Sequence, residues 1–420
     1  MNSDQKVPAG APSPHLLSST CLACGFHGAT PLFDGGSQPL ATLGWPAAAE
    51  ASLQMPRHRL DFIRCLRCGH IYNRAFEYQH VPYAKHPNLM YNASTLWQVH
   101  QQAVCRRLSE VLPPDPVVIE IGCGEGGFLK QLAASVGSGS YIGFDPNSSA
   151  DLDLGHLVLK PELFVPEQHL LQYHPDLILS RHVLEHLINP LAFIQELAFY
   201  SSWTRQQPKL FFEVPCVDRL LAFGRLEDLY YEHNSHFTSH SFRTMLQSLD
   251  CRIEFIEHGY NREVIYGLIQ LEPMPLAAEI VARTADFRQQ AARAQTQIPA
   301  QLRGLLASGK TLALWGGTGK GAAFVHHFDL DAAHFPLLVV DSDESKVGTF
   351  VPGSGYEIGS WQLLLAQAVD VILISAQWRA QDVVLEITQK GIPYQQILIE
   401  HNGRLVDFFS QEHPYAIEES

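Results

Sequence analysis

The sequence has 420 residues, which is long enough for two or three domains with cores of their own. Its net charge of −14 argues against a nucleic-acid binder, because such proteins normally present a basic surface. It contains no run of about 18 apolar residues and no apolar signal core, so we expect a cytoplasmic protein without a membrane segment. The eight cysteines form two C-x-x-C pairs and four single residues, which suits a reducing compartment better than a disulfide framework.

The first part of the chain is typical of a tail followed by a small metal-binding domain. Residues 1–18 are rich in Pro, Ala and Ser and predict a disordered tail. Two C-x-x-C-G sequences follow within 19–82, and together they provide the four thiolates of a structural zinc site. These thiolates belong to Cys21, Cys24, Cys65 and Cys68. A redox-active C-x-x-C is the alternative, but such a motif is expected once and near a βαβ pattern. We therefore expect 19–82 to bind zinc.

A polar loop lies between this domain and the next. Residues 83–91 (YAKHPNLMY) contain a proline and have Tyr83 and Tyr91 at their ends. Ser94 is a good N-cap for the helix predicted over 95–111. A loop that arrives just before a cofactor domain can act as a lid and bring its tyrosines to the substrate. A plain surface connector is the alternative interpretation.

The stretch 117–145 organises the chain. Residues 117–121 are apolar and β-branched, as in a strand buried on both faces, and they run into a turn that contains Gly122 and Gly124. Glycines at such a turn let backbone N–H groups approach a ligand closely. A second apolar strand ends in Asp145, which is placed to hydrogen-bond ribose hydroxyls. This unit is therefore predicted to bind an adenosine-containing cofactor.

Two features favour S-adenosylmethionine (SAM) over a dinucleotide, although the glycines also satisfy the pattern G-x-G-x-x-G. Glu120 precedes the first glycine, where a carboxylate favours a cationic cofactor and disfavours a pyrophosphate. The strand predicted over 176–180 is followed by the sequence HVLEH at 182–186. This arrangement resembles the class I methyltransferases. A NAD-binding Rossmann domain is the alternative.

We expect further cofactor contacts along the same edge of the sheet. They involve Phe144 and Pro146 beside Asp145, and Arg181 and His182 after a later strand. His182 is expected to stack near the adenine or the methionine part of the cofactor. HVLEH is also an H-x-x-E-H sequence, the inverted zinc-protease signature. Its position in a loop of a cofactor-binding sheet, with no acidic helix ligand evident downstream, argues against a metalloprotease.

A dense polar cluster follows the strand that is predicted over 209–214. The sequence YYEHNSHF at 230–237 supplies Glu232, His233 and His236. Loops beyond the carboxyl ends of strands are where α/β folds place chemistry. A histidine suits a general base there, since small shifts of its pKa keep it unprotonated near neutral pH.

The last part of the chain predicts a helical linker and a second α/β unit over 273–407, followed by a tail at 408–420. The loop GGTGKG at 316–321 fails the Walker A pattern, because Leu314 and Gly321 occupy its first and last positions. A dinucleotide is an alternative ligand, since G-x-G-x-x-A is present. We interpret the unit as a degenerate Rossmann domain whose loop faces phosphates of a substrate. The residues expected at these phosphates are Gly317, Gly319 and Lys320.

Paired C-x-x-C sequences, a methyltransferase core and a Rossmann-like C-terminal domain, in this order, resemble the nucleotide-sugar C-methyltransferases of deoxysugar pathways. The resemblance covers roughly 20–407 and rests on EIGCGEGGFL (120–129), Y-x-E-H-x-S-x-F (230–237), VVDSDESKVGTFVPG (339–353) and ILIEHNG (397–403). It implies an α/β fold: a class I SAM methyltransferase core with an N-terminal zinc-binding domain and a C-terminal Rossmann-like domain. It also implies methylation of the carbon next to the ketone of an NDP-4-keto-deoxysugar.

The resemblance further implies roles for individual residues. His233 would be the base that removes the α-proton, and Glu232 and His186 would assist it. A tyrosine from the loop before the core would contact the sugar, a role that we assign to Tyr91 with Tyr83 as the second choice. Packing beneath the cofactor is the alternative role for His186.

Other interpretations stay open at this point. His236 lies three residues beyond His233 and is a rival base. The same architecture suits methylation of oxygen or nitrogen in another small acceptor. Two Rossmann-like units also suit a NAD oxidoreductase. A zinc-binding domain is also found in interaction proteins that are not catalytic. The leading interpretation places the methyltransferase domain over 83–272, with SAM and structural zinc as cofactors. It expects a small-molecule nucleotide-sugar substrate and a monomer or homodimer.

Overall fold

The computed structural model describes residues 16–43, 45–82, 92, 94–148 and 152–415. The chain divides into two compact units, Met1–Ala278 and Glu279–Ser420. Within the described residues, no helix combines the length and the apolar character needed to cross a membrane.

The N-terminal part of the first unit is an antiparallel sheet that carries two cysteine turns. Its elements are β1 (Leu17–Thr20), β2 (His27–Gln38), α1 (Ala49–Leu53), β3 (His58–Cys65) and β4 (Ile71–Asn73). The strands pair in the order β1-β2-β3-β4, and the C-x-x-C sequences form the turns between β1 and β2 and between β3 and β4. β1 begins inside the segment 1–18 predicted as a tail, because Leu17 pairs with Ala29 of β2.

The rest of the first unit is an α/β domain. Its strands are β5 (Val117–Ile121), β6 (Ser140–Phe144), β7 (Leu152–Asp153), β8 (Leu157–Lys160), β9 (Leu177–Arg181), β10 (Lys209–Pro215), β11 (Ser235–His236), β12 (Cys251–Gly259) and β13 (Val264–Leu271). Its helices are α2 (Thr95–Ser109), α3 (Gly127–Val136), α4 (Pro166–Tyr173), α5 (Pro190–Trp203), α6 (Asp218–Phe223) and α7 (Ser239–Leu246). All strands except β11 form one eight-stranded sheet in the order β12-β13-β10-β9-β5-β6-β8-β7.

The centre of this sheet is parallel and buried on both faces. β10, β9, β5, β6 and β8 run in the same direction, and β12, β13 and β7 pair antiparallel at the edges. Ile119 and Ile178 pack into the core on one face, while Val118 and Leu177 pack into the core on the other. The apolar runs therefore become two-sided strands, as predicted, and their carboxyl ends meet at one edge where ligands bind in such folds.

Helix ends follow local capping chemistry. The predicted N-cap of α2 is confirmed, because Ser94 Oγ accepts a hydrogen bond from the N–H of Trp97 at 3.2 Å. α6 ends before Gly224, whose φ of +67° suits a helix terminus, and a 3₁₀ turn follows at Leu226–Asp228.

β11 belongs to the N-terminal sheet and was not predicted from the sequence. Ser235 pairs with Tyr72, and His236 pairs with Ile71, so β11 adds to β4 as a fifth strand. Two residues show no periodicity, and only the tertiary arrangement brings this strand to its partner. As a result, the loop that carries the predicted catalytic histidines is hydrogen-bonded to the cysteine-bearing sheet.

The long helix α8 (Pro275–Ala307) leads into a second α/β fold. Its further elements are β14 (Leu312–Trp315), α9 (Lys320–His327), β15 (Leu338–Asp341), β16 (Ile358–Ser360), α10 (Leu363–Ala366), β17 (Val371–Ile374), α11 (Ala380–Gln389), β18 (Gln396–His401) and β19 (Arg404–Asp407). The sheet order is β16-β15-β14-β17-β18-β19, with only β19 antiparallel to its neighbour.

The segment 408–420, predicted as a tail, has two buried residues, Phe408 and His413, within its described part. Phe408 is buried in the core of the second unit, and the Nε2–H of His413 donates to the Phe408 carbonyl at 2.8 Å. Aromatic burial thus continues the fold beyond β19 as far as His413.

Candidate active site

The four cysteines of the N-terminal sheet converge on one point. The Sγ atoms of Cys21 and Cys68 lie 3.6 Å apart, those of Cys24 and Cys65 lie 3.7 Å apart, and all four lie within 4.8 Å of one another. A zinc tetrahedron with bonds of about 2.3 Å requires sulfur separations of about 3.8 Å. Backbone N–H groups of Ala23 and Arg67 donate to sulfur at 3.4 and 3.3 Å, as expected around thiolates. The donor set therefore fits a structural zinc ion.

The glycine turn after β5 is held by the acid at the end of β6. Gly122 has a φ of +74°, and a Cβ on it would lie 2.2 Å from the side chain of Val183, so no other residue fits. The N–H of Gly124 donates to Asp145 Oδ2 at 2.9 Å, and the N–H of Asn147 donates to Oδ1 at 2.8 Å. A carboxylate has further lone pairs, so Asp145 keeps acceptor capacity for ribose hydroxyls.

Glu120 lies beneath this turn as a buried acid. It is 3% exposed, and its Oε2 has no hydrogen-bond partner among the described residues. Burial raises its pKa from 4.5 to about 8, against the opposing attraction of Arg181. Before the cofactor binds, the side chain is therefore largely protonated near neutral pH.

The Glu120→Gln variant should unfold at a higher temperature than the wild type at about pH 8.5, with little difference at about pH 5. A carboxyl group whose pKa is raised by folding destabilises the folded state as pH rises above its ordinary 4.5, and the cost is complete above about 8. Thermal unfolding of the ligand-free protein at both pH values measures this. Glu125→Gln, an exposed acid in the same turn, is the control. An equal gain at both pH values would contradict the assignment.

Phe144 and Pro146, the two predicted cofactor residues on either side of Asp145, lie in different surroundings from each other. Phe144 is 1% exposed and its ring packs against Phe164 and His169, so this residue contributes its backbone carbonyl, which accepts from the N–H of Gly122 at 2.8 Å. Pro146 is exposed on the turn that follows. Successive side chains of a strand point to opposite faces, and the ring of Phe144 at the end of β6 points into the core. The sequence pattern did not indicate which face this ring would take.

Arg181 is fixed by a buried acid that the sequence analysis missed. Glu213 in β10 is fully buried, and its Oε1 accepts from Arg181 Nε at 3.1 Å and Nη2 at 2.8 Å. Its Oε2 lies 2.8 Å from His100 Nε2. Burial opposes the charge of Glu213, but Arg181 and the two histidines that bond it hold its pKa well below its ordinary value. The guanidinium of Arg181 also stacks on Phe128, 3.9 Å from the ring centre.

His182 is held as a cation between two carboxylates. Its Nε2 lies 3.1 Å from Glu213 and its Nδ1 lies 3.5 Å from Glu185, while its φ of +54° is unusual for a residue other than glycine. Burial disfavours its charge, yet the two carboxylates outweigh burial and raise its pKa to about 9. An imidazolium with both N–H groups directed at acids is no metal ligand, which agrees with the sequence argument against a metalloprotease.

A cavity of about 510 Å³ lies where the loops after β9 and β10 meet. Its titratable lining includes His182, Glu185, His186, Tyr230, His233 and His236. Four of the histidines singled out by sequence are thus brought together, and the side chain of Val183 touches the cofactor turn at Gly122. The cavity therefore lies beside the cofactor site.

His233 is a partly buried imidazole of the cavity with a strongly lowered basicity. Its Nε2 lies 2.9 Å from Tyr230 Oη, and its ring centre lies 4.7 Å from that of His186. Burial, and then the nearby rings of His186, His236 and His182, hold its pKa well below 6.5. The ring is therefore neutral at physiological pH and able to accept a proton.

The other predicted catalytic residues are fixed by backbone groups. The Nδ1–H of His186 donates to the carbonyl of Glu232 at 2.9 Å, and the Nε2–H of His236 donates to that of Asp228 at 2.9 Å. Burial lowers the pKa of His236 to about 4. The carboxylate of Glu232 is buried and is not part of the cavity lining: its Oε1 accepts from the N–H of Thr42 at 2.7 Å and of Leu43 at 3.2 Å.

Several residues of this site were not found by sequence reasoning. Glu185 and Tyr230 line the cavity, and Glu213 carries the charge network. The signal for Glu213 was a charged residue within the apolar strand KLFFEVP, since such a charge is buried only with partners. Tyr83 and Tyr91, predicted to contact the sugar, lie outside the described residues.

The loop GGTGKG of the second unit repeats the arrangement of the first. The N–H of Gly317 donates to Asp341 Oδ2 at 3.0 Å; Asp341 is the last residue of β15, and Asp145 directly follows β6. Gly319 has a φ of +57° and precedes Lys320, the first residue of α9. The predicted phosphate-facing residues therefore share one turn at the start of a helix.

Comparisons with known proteins agree with this architecture. Residues 97–254 match the model of a methyltransferase domain, and residues 270–398 match that of the C-methyltransferase C-terminal domain. The fold and the cofactor turn define a class I SAM-dependent methyltransferase, which is therefore the class of this enzyme. Its two matched domains together are a methyltransferase domain and the C-terminal domain of C-methyltransferases, so the chain is similar to that family over both units.

Individual relatives are distant. The chain is 24% identical over 416 residues to "C-methyltransferase NovU" of Streptomyces niveus, covering 92% of this chain and 94% of that protein. Among solved structures, magnesium protoporphyrin IX methyltransferase from Synechocystis PCC 6803 with bound SAH matches 44% of this chain and 90% of its own, with a TM-score of 0.32 and 16% identity. A SAM-dependent methyltransferase from Aquifex aeolicus matches 44% of this chain and 100% of its own, with a TM-score of 0.30 and 15% identity.

Proposed function

We propose that this enzyme methylates the carbon next to the ketone of a nucleotide-linked 4-keto-deoxysugar, through an enolate formed by His233. The observation that mainly supports this proposal is the neutral imidazole of His233 in a cavity that is also lined by the hydroxyl of Tyr230. The resemblance to a named C-methyltransferase over most of the chain supports carbon as the acceptor. Removal of a proton from a C–H bond next to a ketone requires a positioned base, and a neutral imidazole in the cavity meets that requirement.

His233 receives the α-proton at Nδ1. When its Nε2–H donates to Tyr230 Oη, Nδ1 keeps a free lone pair. The electrons of the broken C–H bond form the enolate, whose oxygen accepts the O–H of Tyr230. Burial raises the pKa of Tyr230, so this phenol stays protonated as a donor. Bound SAM supplies an electrophilic methyl group, and transfer to the enolate carbon leaves S-adenosylhomocysteine.

The remaining residues are proposed to bind and position. Glu120, Gly122, Gly124 and Asp145 hold SAM, with Arg181 and His182 fixed beside them by Glu213. His186 and Glu232 order the histidine loop, and Tyr91 or Tyr83 contacts the sugar. The phosphates of the substrate are assigned to the second unit, at Gly317, Gly319 and Lys320.

The position of the new methyl group tests this proposal. The full chain is incubated with ¹³C-methyl SAM and a dTDP- or UDP-linked 4-keto-6-deoxysugar, and the product is examined by NMR. We expect the label on the ring carbon next to the ketone. The corresponding sugar with a hydroxyl in place of the ketone is the control, and it should give no product, because it forms no enolate. A label on oxygen or nitrogen would contradict the proposal.

Asp145→Ala should weaken SAM binding by about 1.5–3 kcal/mol, the usual worth of hydrogen bonds to a charged group. Part of this loss comes through the turn, since Asp145 also holds the N–H of Gly124. Calorimetric titration with S-adenosylhomocysteine measures the effect. Asp153→Ala, an acid whose Oδ1 accepts from the N–H of Gly155 away from this turn, is the control. Wild-type affinity in Asp145→Ala would remove the ribose assignment.

We also propose that the cysteine cluster holds one structural zinc ion. Cys65→Ser should lower zinc content, soluble yield and turnover together, because β4 follows this turn and pairs with β11 of the histidine loop. Cys251→Ser, a half-buried single cysteine, should retain full zinc. Metal analysis of freshly purified protein decides the matter. Less than half an equivalent of zinc in wild-type protein never exposed to chelators would count against the site.

A further inference from the structure

A second group of metal-ligand side chains lies in the first unit, apart from the four cysteines of the N-terminal sheet. It consists of Cys216, Asp218 and His258, which we call the Cys-Asp-His cluster. The thiol sulfur, a carboxylate oxygen and a ring nitrogen of these residues all lie within 4.8 Å of one another. Sequence spacing does not reveal the cluster, because the histidine follows the other two residues only after a further helix and strand pairing. None of the three residues takes part in the proposed methyl transfer.

The register of the sheet brings the cluster together. Cys216 directly follows β10. Val264 of β13 pairs with Pro215, the last residue of β10, on one side and with Gly259, the last residue of β12, on the other. His258 precedes Gly259, so it lies at the level of the sheet where β10 ends. The thiol and the imidazole are therefore brought together by paired strands of the central fold.

The hydroxyl of Ser239, the first residue of α7, contacts all three members of the cluster. Its Oγ lies 2.8 Å from His258 Nε2 and 3.9 Å from Cys216 Sγ, and it donates to Asp218 Oδ2. The backbone N–H of Ser239 donates to Asp218 Oδ1 at 3.1 Å, which joins the starts of α6 and α7. The three ligand atoms thus face a common point, and an oxygen that can serve as a fourth ligand is already there.

The donor atoms and their separations suit zinc. Zinc takes thiolate, imidazole and carboxylate ligands at about 2.0–2.3 Å, which places the ligand atoms about 3.3–3.6 Å apart in a tetrahedron. His258 Nε2 lies 4.0 Å from Asp218 Oδ2, and both side chains are partly exposed, so small rotations bring them to that separation. Magnesium and calcium prefer sites made of oxygen ligands, and a thiol with an imidazole disfavours both ions.

The charge around the cluster favours a cation. Over the described part of the chain, no lysine or arginine nitrogen lies within 4.0 Å of the Asp218 carboxylate, whose basic neighbour is His258. The arginines that follow in the sequence, Arg219 and Arg225, each pair with Glu263 at 2.9 Å. A carboxylate beside an ionisable thiol attracts a divalent cation, and binding of the cation releases the thiol proton.

The cluster can be reached from two cavities. Asp218 lines a cavity of about 580 Å³, and Cys216 lines the cavity that contains the histidines. Cys216 also forms a β-bridge with Phe237, and the N–H of Val217 donates to the Phe237 carbonyl at 3.0 Å. An ion bound here would therefore brace the segment that supports the end of the histidine loop.

We propose that Cys216, Asp218 and His258 bind a second zinc ion, separate from that of the N-terminal cysteines, with Ser239 or a water molecule as the fourth ligand. The ion would link the segment after β10 to β12 and to the start of α7. The inference goes beyond the proposed function and does not depend on which atom accepts the methyl group.

The zinc content of the full chain tests the site. The chain is purified without chelators, saturated with ZnCl₂, desalted and analysed by plasma mass spectrometry. Cys216→Ser and His258→Ala should each hold about one zinc equivalent less than the wild type. Cys251→Ser and His156→Ala are the matched controls, because Cys251 is a half-buried single cysteine and His156 an exposed histidine, both outside the cluster. Both controls should keep the wild-type content.

Cobalt(II) gives a second readout that depends on the thiolate itself. In the cobalt-loaded chain, the near-ultraviolet band that arises from sulfur–cobalt bonds should fall by about one fifth in Cys216→Ser, since one of five thiolate ligands is lost. The side chain of His258 is 24% exposed, so His258→Ala keeps the test decisive even where the cysteine variant does not fold.

Wild-type zinc content in His258→Ala would overturn the inference, and so would an unchanged cobalt band in a folded Cys216→Ser variant. A loss of zinc in His156→Ala equal to that in His258→Ala would also overturn it. The test is separable from that of the N-terminal site: failure of the four cysteines to bind zinc would lower the total by one equivalent and leave the difference between wild type and His258→Ala.

Discussion

His233→Ala should lower kcat by about 10²- to 10⁴-fold, the usual contribution of a general base, while SAM binds with unchanged affinity. The ring touches Tyr230 and His186 in the cavity and forms no part of the cofactor turn. Because burial, and then the neighbouring imidazoles, hold its pKa well below 6.5, the wild-type rate should not fall between about pH 8 and pH 6.5 through protonation of this group.

Steady-state kinetics and calorimetry with S-adenosylhomocysteine separate the two effects. His236→Ala is the informative companion variant, since the Nε2–H of His236 already donates to a backbone carbonyl and its ring is 3% exposed. We expect a smaller loss of kcat there than in His233→Ala. The reverse order would move the base to His236.

Glu213→Ala should destabilise the first unit by about 3–5 kcal/mol, the usual cost of breaking a buried ion pair. The substitution leaves Arg181 buried without its anion and removes one of the two carboxylates beside His182. The pKa of Glu213 is lowered by folding, so its contribution is present above its ordinary 4.5 and is lost as pH falls toward the folded value.

Urea unfolding at neutral pH measures this effect. Glu110→Gln is the control, because Glu110 lies 3.6 Å from Arg107 in an exposed pair and should cost less than about 1 kcal/mol. A loss of similar size in both variants would show that the buried network is no more important than a surface pair.

Local sequence patterns predicted the structure correctly where a segment of a few residues determines its own conformation. The cysteine spacing, the two-sided strand at 117–121 and the glycine turn each depend on neighbours within a few residues, and each lies where the pattern indicates. The acid Asp145 was found for the same reason, since the end of one strand is adjacent to the turn of the next.

The parts that could not be predicted depend on distant partners. The Oε1 of Glu232 accepts from Thr42 and Leu43, about 190 residues away in the sequence, and the sequence pattern did not indicate these partners. β11 pairs with β4 across a similar distance in the sequence. The ring of Phe144 points into the core, although Phe144 is the last residue of β6 and lies at the edge of the sheet beside the cofactor turn. Side-chain direction at a strand end and long-range pairing are settled by packing, which periodicity does not encode.

Exchange of the substrate α-proton with solvent tests the central claim most directly. The enzyme is saturated with S-adenosylhomocysteine, which lacks the methyl group, and mixed with the keto-sugar nucleotide in deuterated water. NMR then follows loss of the α-proton signal. The wild type should exchange the proton without forming product, His233→Ala should not, and His236→Ala should retain exchange. Exchange at the wild-type rate in His233→Ala would contradict the histidine-base mechanism.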